Sequence, residues 1–430
     1  MEEQEFAGHK IPQFQLLKGD CLVTLKTLDD NSIDSVVCDP PYHLQSIVKR
    51  FGSENAAEAK EGSDGLFQRA SKGFMGKTWD GGDIAFRTDV WKECFRVLKP
   101  GGHLIAFGGT RTIHRITCAI EDSGFEIRDM INWLYFSGFP KSHNVSIMLD
   151  KQFGDMKPRG HGVKHAVGQE NLDTPQSSRD GLAKFEPKTP EAIKWHGWGT
   201  ALKPSQEPAI LARKPLEKGL TVAKNMMKFG TGALNIDACR FKADDPCWVG
   251  PKNEIKITRS TGPKFRMAHE QMDNGGFNDP DRVHEIVPNP LGRWPANIYQ
   301  CAKPGRQEKE SGLDNLIGMT ASEALNRKPD SKGLENAASG SGRTSQDIKN
   351  THPTVKPTGI MRWLCRLVTP PRGIVLDPFL GSGTTAVSAI QESFNVIGCE
   401  LTPEYWPIIQ GRIDWSINKW KDDRRQYKLF

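Results

Sequence analysis

The sequence of 430 residues lacks the features that mark membrane and secreted proteins. It contains no apolar run of the roughly 18 residues that a bilayer-spanning helix needs. Its first residues, Met1-Glu2-Glu3-Gln4, are acidic and are not followed by the apolar core of a signal peptide. The nine cysteines form no Cys-x-x-Cys pair, so neither a zinc site nor a disulfide framework is indicated. We therefore expect a cytoplasmic protein with reduced thiols, no bound metal and no membrane partner.

A strong excess of either charge is also missing. Lysine and arginine number 58 against 52 aspartates and glutamates, which gives a net charge of +6. This balance is compatible with a nucleic-acid partner but does not require one, because a mildly basic surface also serves solubility. With 26% charged and 37% hydrophobic residues, the composition is that of a globular protein. The length suggests two or three domains.

The first part of the chain alternates segments with strand and helix patterns. Apolar residues recur at helical spacing between residues 88 and 98, and Lys-Pro-Gly-Gly at 99–102 predicts the end of that helix. This βαβ rhythm predicts a doubly wound, mostly parallel sheet of the Rossmann-like α/β class. We place the strand at 208–213 in the same sheet, antiparallel to the one at 130–136. The elements predicted before it are strand 34–38, helix 88–98, strand 103–107, helix 111–122 and strand 130–136.

The middle of the chain, residues 216–350, is rich in Gly, Pro, Asn, Ser and Lys and shows no regular periodicity. We predict an irregular region there, which is loop-like from residue 303 onward. Order returns at residue 351. The elements predicted after that point are helix 360–368, strand 373–376, helix 384–393, strand 395–399 and helix 403–417.

The most informative segment is Asp39-Pro40-Pro41-Tyr42, which follows the apolar run 33–38. Two consecutive prolines remove two backbone donors and so end the strand. The turn presents a carboxylate, a free carbonyl and an aromatic ring where open α/β sheets bind their ligands. A carboxylate and a carbonyl can accept both hydrogens of an amino group while the ring stacks on a planar heterocycle. For this segment alone, an ordinary strand exit with a capping aspartate is the alternative.

A second candidate site spans residues 374–385, where a short strand leads through Asp377 and Phe379-Leu380-Gly381-Ser382-Gly383 into a helix. Glycines let the backbone approach a ligand closely, and a helix N-terminus offers free N–H groups. The third glycine of a dinucleotide fingerprint is missing, and Asp377 would repel a pyrophosphate but attract an ammonium group. Glu400 ends the next predicted strand, a position typical of acids that hold ribose hydroxyls. A ligand with an ammonium group and a ribose favours S-adenosylmethionine over NAD or ATP.

With both motifs, the chain resembles the amino-methylating DNA methyltransferases, whose catalytic motif is Asp/Asn/Ser-Pro-Pro-aromatic and whose cofactor loop is Phe-x-Gly-x-Gly. These motifs stand in full at Asp39–Tyr42 and Phe379–Gly383. The catalytic motif comes first, with residues 43–378 between the two. This order resembles the β group, whose target-recognition segment lies between the motifs. The resemblance implies a class I methyltransferase sheet with permuted motif order and an inserted target-recognition region.

Other segments extend this resemblance. Gly19-Asp20-Cys21 resembles the motif that contacts the adenine ring of the cofactor, and Thr351–Pro357 resembles the segment that helps hold its methionine part. The segment Trp195–Pro215 is similar to phage and prophage members of the group. The cofactor-binding residues implied by the resemblance are Asp20, Cys21, Thr354, Lys356, Pro357, Asp377, Phe379, Gly381, Ser382, Gly383, Thr384 and Glu400.

The resemblance also implies a division of the chain into three parts. Residues 1–215 would form the catalytic half, with loop insertions at 43–86 and 151–200. Residues 216–350 would recognise the target, and residues 351–430 would form the S-adenosylmethionine-binding half. Trp79 and Asp80 in the first insertion are candidates for a lid over the bound base, and so long an insertion is commonly functional or disordered.

The implied reaction is methyl transfer from S-adenosylmethionine to the N6 amino group of an adenine flipped out of double-stranded DNA. Within the catalytic motif Asp39-Pro40-Pro41-Tyr42, the carboxylate of Asp39 and the carbonyl of Pro40 would accept the two amino hydrogens. Tyr42 would stack on the base. An aspartate in the first position favours adenine by resemblance, and cytosine N4 is the alternative because its amino group has similar chemistry.

Partners and competing functions follow from the same resemblance. It implies a bacterial or phage-encoded, nucleoid-associated protein that acts on double-stranded DNA. By analogy with the group, a homodimer and a cognate restriction enzyme are possible partners. An RNA methyltransferase is a further alternative, although the long middle region favours DNA. A catalytically silent DNA-binding subunit would carry a degraded motif, whereas Asp39–Tyr42 is intact. A fused restriction endonuclease lacks support, because the sequence contains no convincing Pro-Asp…Glu-x-Lys signature.

Overall fold

The computed structural model describes residues 4–42, 83–138, 142–153, 186–242, 245–247, 292–319 and 348–426. Most of the predicted insertion 43–86 lies outside these residues, and so do Trp79 and Asp80, the candidates for a lid. Within the described ranges, no helix is both long and apolar enough to cross a membrane.

Ten strands are found in the described part of the chain. They are β1 Glu5–Phe6, β2 His9–Lys10, β3 Phe14–Lys18, β4 Ile33–Cys38, β5 Leu98–Phe107, β6 Glu126–Leu134, β7 Gln206–Arg213, β8 Ile298–Gln300, β9 Ile374–Asp377 and β10 Asn395–Glu400. β1 and β2 form a small separate sheet. The other eight form one sheet in the spatial order β3-β10-β9-β4-β5-β7-β6-β8. Only β7 is antiparallel to its neighbours, β5 and β6; every other adjacent pair is parallel.

Helices cover both faces of this sheet. The α-helices of the described residues are Cys21–Thr24, Thr88–Val97, Ile113–Glu121, Val145–Phe153, Pro190–Lys194, Val222–Phe229, Arg306–Glu310, Thr358–Val368, Thr384–Gln391 and Trp406–Gln426. Val37 and Ile105 face a core that includes Thr358–Val368 and Thr384–Gln391. The preceding residues of the same strands face a second core that includes Thr88–Val97. Both faces of β4 are therefore buried, which explains its continuous apolar sequence.

The predicted fold class is confirmed, and the strand predicted at 208–213 is antiparallel as expected. Two predicted strand starts are wrong by four residues or more. β5 begins at Leu98 instead of residue 103, because the chain leaves the helix directly in extended conformation and residues 99–102 form an irregularity in its pairing with β4. β6 starts four residues before the predicted position, since its pairing with β7 begins at Glu126.

The region 216–350 contains more regular structure than its composition predicts. The helix Val222–Phe229 begins after Thr221, whose side chain accepts a hydrogen bond from the Lys224 N–H, and it ends at Gly230 in the left-handed conformation. The helix is attached to the sheet by Asn225, whose amide donates to the Pro100 carbonyl at 2.8 Å. β8 from the same region pairs with β6. Residues 216–350 thus contribute to the central sheet and its surroundings.

The pairing of β4 with β9 joins two distant parts of the chain. In this pair Ser35 lies opposite Val375. Asp34 is 4% exposed, and its Oδ2 accepts a hydrogen bond from the Ile374 N–H at 2.7 Å. Its Oδ1 lies 2.6 Å from the Lys99 ammonium. One buried carboxylate therefore helps to fix the register between the two strands.

Replacing Asp34 with Ala should lower the free energy of unfolding by about 2–3 kcal/mol, because the Ile374 N–H and the Lys99 ammonium lose a buried acceptor. Urea denaturation followed by circular dichroism would measure this loss. The control is Asp122→Ala at an exposed position, which should change stability by less than about 0.5 kcal/mol. Equal unfolding midpoints for the two variants would contradict the role assigned to Asp34.

Candidate active site

The sequence-predicted residues meet at one edge of the sheet. Asp39 follows β4, Asp377 ends β9, Glu400 ends β10, and Asp20 lies two residues beyond the end of β3. These four strands are adjacent and parallel, so their carboxyl ends lie side by side. The permuted order along the chain therefore becomes a continuous row of functional groups in space.

A cluster of charged and phenolic groups surrounds Asp39. The Lys356 ammonium lies 2.5 Å from Asp39 Oδ2 and 3.1 Å from Glu207 Oε2, and it donates to the Tyr42 hydroxyl at 3.0 Å. The Tyr42 hydroxyl in turn donates to Glu207 Oε2 at 3.2 Å. Lys356 is only 7% exposed, so its contacts are almost entirely with the protein. We call Asp39, Tyr42, Lys356 and Glu207 the amino-group cluster.

The resemblance of Thr351–Pro357 to a cofactor segment assigned Lys356 to the methionine part of the cofactor. In the described structure its ammonium contacts the catalytic motif instead. The neighbouring Thr354 is exposed, and Pro357 is the residue before the helix Thr358–Val368. The segment thus brings a lysine to the carboxyl end of β4, and its role toward the cofactor stays a prediction.

Glu207 is a site residue that the motifs do not indicate, although it lies within the segment Trp195–Pro215 that resembles phage and prophage members of the group. It is the second residue of β7, and β7 runs antiparallel to β5. The beginning of an antiparallel strand lies beside the carboxyl ends of its parallel neighbours. The predicted antiparallel placement of the strand at 208–213 was therefore the signal that could have found Glu207.

The second carboxylate oxygen of Asp39 differs from the first. Oδ1 is buried and has no hydrogen-bond partner among the described residues. A buried acceptor without a partner is costly, so such atoms mark positions where a ligand donor is expected. Asp39 Oδ2 is occupied by Lys356, and Oδ1 is free to accept a hydrogen bond from a substrate.

Burial and mutual charge set the protonation of the cluster. Burial raises the pKa of Asp39, and the charge of Glu207 raises it further, while Lys356 opposes both. Burial also disfavours the charged form of Glu207, but Lys356 and Lys303 outweigh it and lower the pKa of Glu207. Burial likewise opposes the charge of Lys356, whose pKa nevertheless lies above its usual value because of Asp39 and Glu207. The lysine therefore stays an ammonium between two acids.

The prolines and Tyr42 complete the turn after β4. Pro40 is buried and Pro41 half-buried. The Tyr42 carbonyl accepts a hydrogen bond from the Thr112 hydroxyl at 3.0 Å, which ties the turn to the loop after β5. The Lys356 ammonium lies 5.2 Å from the centre of the Tyr42 ring. Tyr42 is therefore fixed at its backbone carbonyl by Thr112 and at its hydroxyl by Lys356.

Replacing Lys356 with Met should shift the acidic limb of the pH–rate profile to higher pH. Lys356 lowers the pKa of Asp39, so its removal raises that pKa and Asp39 becomes protonated at a higher pH. Initial rates of methyl transfer between pH 5.5 and 9 would measure the shift. If the variant instead lost affinity for S-adenosylmethionine with an unmoved limb, Lys356 would hold the cofactor and not Asp39.

The glycine loop after β9 carries the second group of predicted residues. Gly381 and Gly383 have φ values of 57° and 81°, a left-handed conformation that favours glycine. A Cβ on Gly381 would lie 2.8 Å from His352 Nε2, so this position has no room for a side chain. Asp377 Oδ1 accepts a hydrogen bond from the Phe379 N–H at 2.9 Å. Burial raises the pKa of Asp377 to about 7.

Glu400 connects the glycine loop to its neighbours. Its Oε2 accepts from the Gly381 N–H at 2.7 Å, and its Oε1 accepts from the Thr402 N–H at 2.8 Å. Its carbonyl accepts from the Gly19 N–H at 3.0 Å. Each carboxylate oxygen keeps a second lone pair, so Glu400 can still accept from a ligand hydroxyl.

The two other predicted residues near Gly19 differ in exposure. Asp20 is exposed, and its side chain caps the short helix Cys21–Thr24 by accepting from the Leu22 N–H at 2.8 Å. Cys21 is buried, and burial raises the pKa of its thiol to about 12. A thiol with that pKa stays neutral and presents an apolar surface at the end of β3.

Arg412 is a further residue that the motifs did not indicate. It lies on the last helix, is 1% exposed, and donates to the Ser382 carbonyl at 2.7 Å and to the Thr384 hydroxyl at 3.0 Å. Burial lowers the pKa of its guanidinium to about 10. These hydrogen bonds connect the glycine loop to the last helix and stabilise it. Phe379 packs edge-on against Trp91 on the other side of the loop, with ring centres 6.0 Å apart.

The family model of N6/N4 DNA methylases matches residues 33–411, which include both motifs. The chain belongs to this family. The Type II methyltransferase M.HindIII of Haemophilus influenzae is 23% identical over 420 residues, covering 94% of this chain and 96% of that relative. M.HpaI of Haemophilus parainfluenzae is 30% identical over 290 residues, covering 64% and 80%. The protein is thus an amino-methylating DNA methyltransferase that uses S-adenosylmethionine.

A similarity to solved structures was also found. The cytosine-N4-specific PvuII DNA methyltransferase aligns with a TM-score of 0.43 at 14% identity, over 98% of this chain and 96% of that one.

Proposed function

We propose that this methyltransferase acts on the N6 amino group of an adenine that is flipped out of double-stranded DNA. The observation that carries the proposal is the unequal environment of the Asp39 carboxylate. Oδ2 is neutralised by Lys356, and Oδ1 is buried without a partner among the described residues. An acceptor of this kind suits a neutral N–H donor, which an exocyclic amino group provides.

The amino nitrogen of adenine is a weak nucleophile because its lone pair is delocalised into the ring. Asp39 Oδ1 and the Pro40 carbonyl would accept its two N–H groups and favour a pyramidal nitrogen. Tyr42 would stack on the flipped base. S-adenosylmethionine supplies an electrophilic methyl group on a sulfonium. The protein would contribute orientation and electrostatic stabilisation while the N–C bond forms and the methyl–sulfur bond breaks, which leaves a neutral thioether. The methylated nitrogen would then lose its extra proton to Asp39 Oδ1 and from there to water.

The cofactor would lie along the carboxyl ends of β9, β10 and β3. Asp377 and Glu400 form no ion pair among the described residues, so a cationic ligand can balance their charge. The ammonium group would approach Asp377, and the ribose hydroxyls would reach Glu400. The loop residues Phe379, Gly381, Ser382, Gly383 and Thr384 would surround the methionine part, together with Thr354, Lys356 and Pro357. The adenine ring would lie near Asp20 and Cys21.

The choice of adenine rests on the first position of the catalytic motif, where aspartate is typical of adenine-specific relatives. Transfer to cytosine N4 is the second candidate, because the amino-group cluster could bind that amino group in the same way. Recognition of the DNA sequence is proposed for residues 216–350. A homodimer and a cognate restriction enzyme are proposed partners by analogy.

Affinity for S-adenosylmethionine should fall as the pH drops below about 7, because protonated Asp377 cannot attract an ammonium group. Calorimetric titration of the purified protein between pH 5.5 and 7.5 would measure the dissociation constants. Asp377→Asn should bind weakly at every pH in this range. A wild-type affinity that stays constant across pH 7 would contradict the proposed role of Asp377.

The base is tested by incubating the protein with tritiated S-adenosylmethionine and plasmid DNA, followed by nucleoside chromatography. We expect the label in N6-methyldeoxyadenosine, whereas label in N4-methyldeoxycytidine would support the second candidate. Ribosomal RNA serves as the competing substrate, and preferential labelling of RNA would contradict a DNA target.

Asp39→Ala should abolish this transfer, since the amino group loses its acceptor, while affinity for S-adenosylmethionine stays nearly unchanged. Filter binding of labelled DNA product and calorimetry with the cofactor give the two quantities. Equal losses of transfer and of cofactor affinity would show that Asp39 acts on the cofactor and not on the base.

A further inference from the structure

We propose that Glu207 is a positioning residue for methyl transfer, which holds the Lys356 ammonium on one oxygen of Asp39 and leaves the other oxygen to the amino group of the base. This inference rests on the proposed role of Asp39. Glu207 lies on β7, two strands away from the catalytic motif in the sheet, and belongs to neither signature motif.

The hydrogen-bond geometry of Lys356 carries the inference. Three oxygens surround this ammonium: Asp39 Oδ2 at 2.5 Å and the Tyr42 hydroxyl at 3.0 Å accept hydrogen bonds from it, and Glu207 Oε2 at 3.1 Å forms an ion pair with it. Hydrogen bonds to Asp39 Oδ2 and the Tyr42 hydroxyl, together with the ion pair to Glu207 Oε2, hold the buried ammonium where it makes no hydrogen bond to Asp39 Oδ1. The pattern matches the unpartnered state of that oxygen.

Removing the Glu207 charge would change this arrangement in a defined way. The ammonium would lose its most strongly charged alternative acceptor and could move toward a position shared by both oxygens of Asp39. There it would compete with the base for Oδ1. Tyr42 is affected as well, because its hydroxyl donates to Glu207 Oε2 at 3.2 Å. One carboxylate thus orients both the cation and the aromatic ring of the amino-group cluster.

Glu207 is suited to this role because it remains ionised. Its other oxygen, Oε1, lies 3.5 Å from the ammonium of Lys303, which is half-exposed at the rim. The two lysines outweigh the effect of burial on Glu207. Asp39 in turn is influenced by Lys356, Glu207 and Tyr42, and its own charge contributes to raising the pKa of Asp377 on the neighbouring strand.

The test uses Glu207→Gln in the full-length protein, which keeps the size and one oxygen but removes the charge. We expect kcat to fall by about 10- to 100-fold, while KM for DNA and the dissociation constant for S-adenosylmethionine stay within about twofold. The acidic limb of the kcat profile should move to lower pH, because Glu207 raises the pKa of Asp39. This direction is opposite to that expected for Lys356→Met. A purely structural role would lower stability without moving the limb.

The matched control is Glu126→Gln, which removes the same charge from an ion pair with Arg213 (2.7 Å) at the far end of β7. It should retain the wild-type kcat and pH profile. Glu207→Asp keeps the charge, so its acidic limb should stay near the wild-type pH even if kcat falls. This variant also tests the inference if Glu207→Gln fails to fold.

Three results would overturn the inference, and two of them concern Glu207→Gln: a wild-type kcat and pH limb, or a loss of cofactor affinity as large as the loss of kcat. A limb that moves equally in Glu207→Asp would do the same. The proposed function fails separately, if the wild-type protein labels no amino group of adenine in DNA. Labelling of cytosine N4 would identify cytosine as the substrate base, and the test of Glu207 would still apply.

Discussion

The whole site depends on the parallel pairing of β4 with β9. Asp39 and Asp377 come from opposite parts of the chain, but they follow adjacent strands and so meet at the same edge. Asp34 strengthens this pairing at the other end of the strands through its bond to the Ile374 N–H. A buried carboxylate at the amino edge of the sheet therefore influences the geometry of functional groups at the carboxyl edge.

Charge balance divides that edge into two environments. At the ends of β9 and β10, Asp377 and Glu400 accept hydrogen bonds from backbone N–H groups and form no ion pair among the described residues. At the end of β4, the two acids of the amino-group cluster face two ammonium groups: Lys356 lies between them, and Lys303 lies 3.5 Å from Glu207 Oε1. An unbalanced acidic surface suits a cationic methyl donor, and a balanced one suits a neutral amino group. The two environments agree with the proposed arrangement of the two substrates.

The sequence predicted the local parts of the site because each motif is a strand end followed by a turn, and both are encoded by adjacent residues. Glu207 and Arg412 were not predicted, since their positions depend on how separate elements pack. The helix Val222–Phe229 was missed for a related reason. Its capping residues, Thr221 and Gly230, lie in a segment whose overall composition resembles a loop. Tertiary packing against β5 makes this segment regular despite its composition.

The spatial strand order has a consequence for synthesis. β9 and β10 lie between β3 and β4, yet the ribosome makes them long after both. The places of two strands between β3 and β4 therefore stay empty until the later strands emerge from the ribosome. Such long-range pairing is slow, and the open strand edges are prone to aggregation in the meantime. The catalytic motif is present in the nascent chain from the beginning, but the strands that carry the cofactor loop close the gap only near the end of translation. An unfinished chain thus contains the motif Asp39–Tyr42 but not the glycine loop that follows β9.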